Sequence, residues 1–254
     1  MYYYIFDPKK CKKRTQVEAI KDQLAKIGIS GEFTVASSMQ SASDLAEAGL
    51  RKQYSTIIAV GGDDIINQVA DKLVGRSEAM GIIPLEASGE IENLIGTKSW
   101  KDAIDFLRFR RIREINLGLT GNGRHFLTSA ELDLKKPTEV TIEFKGFIVQ
   151  AKIKSLTISN VSSHIRKINP EFLDVVIQSE ISQASGILGS LVGMFKPHEP
   201  APKNLTVIRA RSMRIFSNKS IAIKSGDSLI SKTPQYLEST DEKLRLIVGK
   251  HTEA

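Results

Sequence analysis

Chemistry in this sequence concentrates at Val60-Gly61-Gly62-Asp63-Asp64. An apolar run from Ser55 to Val60 ends in two glycines, and a helical pattern with Ile65, Val69 and Leu73 on one face starts at about Asp64. Glycines at such a turn let a ligand approach the backbone, and the free N–H groups of a helix start favour an anion. A plain tight turn with Asp63 as helix cap uses the same residues, so the segment alone leaves both readings open. A second apolar run, Met80 to Leu85, ends at Pro84-Leu85, with another helix start near Ser88-Gly89. Ligands of open α/β sheets bind outside the carboxyl ends of the strands, so these two turns are expected to face one crevice. Other phosphate motifs fail: Gly96-Thr97-Lys98-Ser99 has the wrong order and spacing for a P-loop, and no G-x-G-x-x-G follows a strand.

The elements that must position these turns alternate. Tyr2 to Phe6 reads as a buried strand, and Thr15 opens a helix with Val17, Ile20, Leu24 and Ile27 at helical spacing. Gly28 falls where a helix ends. A strand around Glu32 to Val35, a helix from Ser41 to Gly49, and the two runs above complete a strand–helix alternation that implies a parallel sheet. After about Leu119 the pattern changes to strand-like segments, many with polar and apolar residues alternating, separated by turns such as Lys145-Gly146 and Ser225-Gly226-Asp227. The chain is expected to divide into an α/β domain, residues 1–119, and a β-rich, sandwich-like domain, residues 120–254, whose last residues pack back on the first; Glu131 to Pro137 is the linker candidate.

Composition narrows the class. The 254 residues include 41% hydrophobic and 26% charged residues, which excludes a disordered or fibrous chain. One cysteine, Cys11, excludes an intramolecular disulfide framework and a multi-cysteine zinc site, and a reducing, cytoplasmic setting is the natural expectation. There is no run of about 18 apolar residues to span a membrane. The net charge of +7 permits an acidic partner without choosing one. Aromatics are only 6% of the chain and do not interleave with basic residues on a strand, so nucleic acid is not expected as a partner. The histidines His125, His164, His198 and His251 are scattered and show no metal-ligand spacing.

Several segments, in order, resemble the diacylglycerol kinase catalytic domain family, which includes bacterial lipid kinases. Gly61, Gly62, Asp63, Asn67 and Val69 match its Gly-Gly-Asp-Gly-Thr turn and the Asn-Glu-Val helix after it, but Asp64 and Ile65 stand in place of Gly-Thr and Gln68 in place of Glu. Gly81 to Leu85 match the start of the family's Gly-Ile-Ile-Pro-Leu-Gly-Thr-x-Asn-Asp-Phe string; Glu86 and Ala87 then replace Gly-Thr, and Gly89 and Glu90 replace Asn-Asp. Arg113 to Glu131 resembles the stretch leading into the second domain, with Asn116 where Asp is usual. Asp7 to Cys11 keeps only the proline of Asn-Pro-x-Ser-Gly, and Phe172 to Ile177 resembles a Leu-Asp-Val strand. At Ile223 to Leu229, Ser225 takes the place of the aspartate proposed as catalytic base, Gly226 is kept, and Asp227 stands for a glutamate.

The resemblance implies a diacylglycerol/NAD kinase-like fold, α+β in two domains, with a nucleotide-binding-type domain first. It implies nucleotide contacts at Gly61, Gly62, Asp63, Asn67, Ser88 and Gly89, with ATP and Mg2+ as cofactors of an active enzyme. The departures point to a catalytically impaired lipid-kinase homologue that works by binding a ligand, a membrane or a partner. Asp64 and Glu86 put carboxylates where phosphate would approach, Ile65 and Ala87 remove hydroxyl donors, and an unaided serine at 225 is no base. The alternative is an active ATP- and Mg-dependent kinase for a diacylglycerol- or sphingoid-type hydroxyl, with Asp64, Glu86 or Glu90 holding magnesium and Asp227 as a displaced base. Expected partners are a nucleotide, a lipid or anionic membrane surface reached peripherally, or a second copy of the chain. Lys9 to Arg14 reads as a solvated basic loop near the crevice, and Arg108 to Arg113 as cations suited to a helix end. Ser185 to Pro200 reads as core packing or a dimer contact ahead of a membrane-dipping segment.

Overall fold

The computed structural model describes residues 1–11, 13–29, 31–160, 171–180 and 204–250. Ser185 to Pro200, three of the four histidines and Lys12 lie outside them. Strand–helix alternation holds through the first half: β1 (Tyr2–Phe6), α1 (Arg14–Lys26), β2 (Glu32–Val35), α2 (Ala42–Arg51), β3 (Thr56–Gly61), α3 (Asp63–Leu73), β4 (Ala79–Pro84), α4 (Gly89–Ile95) and α5 (Trp100–Phe109). The first four strands run parallel in the order β2-β1-β3-β4.

Period-two alternation sends successive strand residues to opposite faces, and helices cover both. Tyr3, Ile5, Ile57, Ala59, Met80 and Ile82 pack with Leu45, Ile66, Val69 and Leu94 of α2, α3 and α4. Tyr4, Phe6, Ile58, Val60 and Ile83 pack with Ile20, Leu24, Ile104 and Leu107 of α1 and α5. Local signals set the helix ends. Ser41 and Asp44 exchange bonds in a capping box at α2, and the Ser88 and Ser99 hydroxyls cap α4 and α5.

The remainder is strand-rich: β5 (Ile112–Thr120), β6 (His125–Phe126), β7 (Ser129–Leu132), β8 (Thr138–Phe144), β9 (Phe147–Ser159), β10 (Leu173–Ser179), β11 (Leu205–Ala210), β12 (Ser212–Ser217), β13 (Ala222–Ser225), β14 (Ser228–Lys232) and β15 (Gln235–Ile247). These strands enclose a third apolar cluster that includes Phe126, Ile142, Ile158, Val175, Ile215 and Leu237. The expected linker is not one throughout: Glu131 and Leu132 belong to β7 and pair with β9 and β13. Leu132 is buried in the third cluster, so its burial drives a strand where charge and proline suggest a loop.

β15 joins the two halves. Its first residues pair with β12; its last run antiparallel to β5 and touch β4 in parallel at Leu246↔Met80. Among the described residues, no helix is long and apolar enough to cross a membrane.

Candidate functional site

The carboxyl ends of β1, β3 and β4 meet in one crevice, roofed by the β13–β14 turn. The chain leaves β1 through Asp7, whose carboxylate is buried and accepts the Lys9 N–H at 2.8 Å. Its carbonyl accepts the Lys10 and Cys11 N–H groups at 3.3 and 2.9 Å, folding the two lysines back toward the glycine turn. Gly61 is required there, because a Cβ would fall 2.4 Å from the Asp7 Cβ. At Gly62 a Cβ would meet the Lys10 Cε at 3.2 Å and the Glu86 carbonyl oxygen at 3.6 Å. The space beside the Gly-Gly turn is thus lined by the stem of Lys10.

Asp63 is the first residue of α3 and does not cap it; Gly62 holds the cap position. Its Oδ1 instead accepts the Ser88 N–H at 2.7 Å, tying the β3–α3 turn to the β4–α4 turn. The expected convergence of the two turns is what this bond secures. Gly89 sits at the start of α4, exposed, with open space where a Cβ would be.

Asp64 faces the second half of the chain. One carboxylate oxygen accepts the Ser228 hydroxyl; the other accepts the Gln68 amide at 3.3 Å and lies 3.9 Å from the Lys9 ammonium. Glu86 is exposed, and its Oε2 accepts from Lys10 Nζ at 2.8 Å. That hydrogen bond, supported by the charges of Glu86, Asp7 and Asp227, raises the Lys10 pKa and keeps it an ammonium. The backbone of Glu86 has φ +54, a conformation that costs an L-residue about 1–2 kcal/mol and glycine almost nothing.

Glu90 is half-buried at the start of α4, and Ser129 and Ser159 hydrogen-bond its carboxyl. Burial raises its pKa, and the charges of Asp63 and Glu131 add to the rise. Ser225 is fully buried, and its hydroxyl has no partner among the described residues. Asp227 is exposed in the turn and close enough for its charge to act on Lys10. Gly226, with φ +57, lets this turn lie against the start of α3; a Cβ there would be 3.7 Å from that of Asp63. Asp64, Glu86 and Glu90 do not converge: each has its own partners, and no group of three or more His, Cys, Asp or Glu among the described residues is placed to hold a metal ion.

Asn67 is committed within the protein. Its amide donates to the Asp63 carbonyl at 2.9 Å, and its Oδ1 accepts the Leu127 N–H at 2.8 Å. One turn on, Asp71 accepts the His125 N–H at 2.7 Å and contacts the His125 ring at 3.0 Å, with Arg124 at 3.3 Å. Burial opposes ionisation of Asp71, but the His125 bonds and the Arg124 charge outweigh it and hold its pKa low. The sequence shows no metal-ligand spacing at His125 and does not announce its pairing with Asp71; the i,i+4 spacing of Asn67 and Asp71 on one helix face was the available signal. Asn116, in β5, donates to the Thr240 carbonyl and accepts from Lys243, both at 2.5 Å. Cys11 is half-buried, and burial pushes its thiol up to about 11, so it is not a reactive thiolate.

The comparisons with known proteins agree with this architecture. Residues 2–119 match the family model of the diacylglycerol kinase catalytic domain. A crystal structure of a diacylglycerol kinase from Bacillus anthracis str. Sterne is similar over 99% of this chain and 98% of its own, with a TM-score of 0.76 at 16% identity. The structure of yeast NADH kinase complexed with NADH covers 99% of this chain and 84% of its own, with a TM-score of 0.53 at 9% identity. At those identities the likeness is one of fold. No curated protein sequence matches the chain. The likeness to the diacylglycerol kinase catalytic domain family is carried by the domain of residues 2–119, and over the rest of the chain the similarity to the solved structures is one of fold.

Proposed function

We propose that this protein is a lipid-kinase homologue that does not transfer phosphate, and that it works by binding rather than by catalysis. The reading rests on one observation: the two carboxylates at the glycine turns, Asp64 and Glu86, are held by groups of the protein itself, Ser228, Gln68, Lys9 and Lys10. The lysines best placed to neutralise a phosphate are already engaged with carboxylates. Two unit charges 4 Å apart interact by about 4 kcal/mol at an effective dielectric of 20, so a triphosphate here meets repulsion that the surrounding lysines offset only in part. The residues present therefore do not fit a magnesium-bound nucleotide triphosphate. A buried serine at 225 supplies no general base, and Asp227, the nearest substitute, is exposed to water beside Lys10.

Purified protein given ATP, magnesium and a diacylglycerol or a sphingoid base is expected to show no transfer above a blank. Its melting temperature is expected not to move with ATP and magnesium. The double variant Asp64→Gly/Glu86→Gly removes both carboxylates and gives position 86 the residue its backbone suits; a rise of a few degrees with ATP and magnesium is expected from it. Robust turnover by the unmodified protein overturns the proposal, and a double variant as insensitive to ATP as the parent removes the role assigned to the carboxylates.

A further inference from the structure

At the far end of α3 from the glycine turn, the two halves of the chain enclose a cavity of about 670 Å³, a volume within the range of small-molecule sites. Its walls are the last turns of α2 and α3, the turn that leads into β4, His125 of β6 and Glu242 of β15. His125 is fixed there. Asp71, whose side chain is 6% exposed, accepts the His125 backbone N–H at 2.7 Å and meets its Nδ1 at 3.0 Å, while Arg124 closes on the other carboxylate oxygen. A carboxylate beside Nδ1 keeps a proton on that nitrogen, so Nε2 is the open atom of the ring. No hydrogen bond to Nε2 forms among the described residues. The charges of the walls fall into two sets. Lys72 and Arg51 are both engaged by Glu47, at 2.9 and 3.7 Å. Arg76 and Glu242 take part in no ion pair among the described residues. Yet they are close in space: Glu242 Oε2 lies against Gly75, where a Cβ would be 2.8 Å from it. Leu50 and Val74 form the apolar part of the wall.

An open guanidinium and an open carboxylate that share a cavity without pairing suit a ligand that carries both signs of charge. A simple anion such as phosphate is repelled by Glu242 and by Glu78 beside it, and a simple amine by Arg76. A metal ion has no group of three or more His, Cys, Asp or Glu among the described residues to hold it. A free α-amino acid has a partner for each open group. Its carboxylate takes the fork of Arg76, its ammonium donates to Glu242 and to His125 Nε2, and an aliphatic side chain covers Leu50 and Val74. We infer that this cavity binds an α-amino acid with an aliphatic side chain, and that the bound ligand clamps α2 and α3 to β6 and β15. The inference is independent of whether the crevice transfers phosphate, because the cavity lies at the amino ends of β3 and β4 and the crevice at their carboxyl ends.

Calorimetric titration of the full chain with L-leucine tests it, beside two probes that each lack one of leucine's charges, isocaproate and isoamylamine. Leucine is expected to bind saturably and to raise the melting temperature, and neither probe is expected to do so. Arg76→Gln and Glu242→Gln are each expected to weaken leucine binding about tenfold, the loss of one charge-assisted contact. Both side chains are exposed, so both variants are expected to keep the parent melting temperature when leucine is absent. Lys154→Gln, on β9 away from the cavity, is expected to bind leucine as the parent does. Absence of leucine binding, a probe that binds as tightly as leucine, or either cavity variant binding leucine like the parent overturns the inference.

Discussion

Glu86 shows how residue and backbone can part company. Its φ of +54 is a conformation that favours glycine, the residue of the family string it resembles, so a glutamate here bears a backbone cost that glycine would not. The exposed pair with Lys10 offsets little of that cost, since such pairs contribute about 0–1 kcal/mol. Asp64 differs in kind: it bridges α3 to Ser228 across the crevice, which makes it part of what closes the site. Glu90 carries a pH consequence. Burial, with Asp63 and Glu131 nearby, raises its folded pKa above the unfolded value of about 4.3. A raised acid contributes stability that is fully present below the unfolded pKa and lost as pH rises through the folded one. Glu90→Gln removes that titration. The variant's urea midpoint, measured against the parent's, is expected to gain as pH rises above the unfolded pKa and to level off once Glu90 is ionised in the folded protein; a difference that stays flat with pH would show that burial of Glu90 has no energetic consequence.

At the scale of elements, α3 is the hinge between crevice and second half. Its amino end carries the glycine turn, while Asn67 and Asp71, four residues apart, accept the backbone N–H groups of Leu127 and His125. Removing the Asn67 acceptor leaves a buried N–H unpaired, a cost of about 1–3 kcal/mol. Asn67→Ala is expected to destabilise by about 2 kcal/mol in urea unfolding, and Asn67→Asp, which keeps an acceptor oxygen, by less. Equal losses would mean that the Leu127 bond is not what Asn67 contributes. The elements themselves were readable because their signals are local: Val17, Ile20 and Leu24 repeat at helical spacing, and Ser41 and Ser88 stand at helix starts. The site was readable only in part. The Gly61-Gly62 turn and the carboxylates at Asp64 and Glu86 are written in neighbouring residues. The Asp64–Ser228 bond joins residues 164 apart, and the Asp71–His125 pair joins residues 54 apart, which no local period encodes. Leu132 shows the same limit, since a charged neighbourhood hides a strand that only its burial explains.

At the scale of the molecule, β15 makes the halves energetically one. It contributes Leu237 to the cluster of the strand-rich half, Leu244 and Leu246 to one face of the parallel sheet, and Ile247 to the other. A strand shared by all three clusters cannot leave one without disturbing the rest, so unfolding is expected to be a single cooperative transition. The one tryptophan, Trp100, offers a clean reporter because it packs in the α/β half, against the cluster of Ile104 and Leu107. Leu237→Ala removes a fully buried side chain from the other half, at a cost of about 2–5 kcal/mol, and each kcal/mol lowers the Tm of a chain this long by about 2–4 °C. The Trp100 fluorescence transition is expected to fall by the same amount as the far-UV circular dichroism transition, although the substitution lies in a different cluster. A Trp100 transition that stays in place while the circular dichroism curve splits would mean that β15 connects two independent units rather than binding them into one.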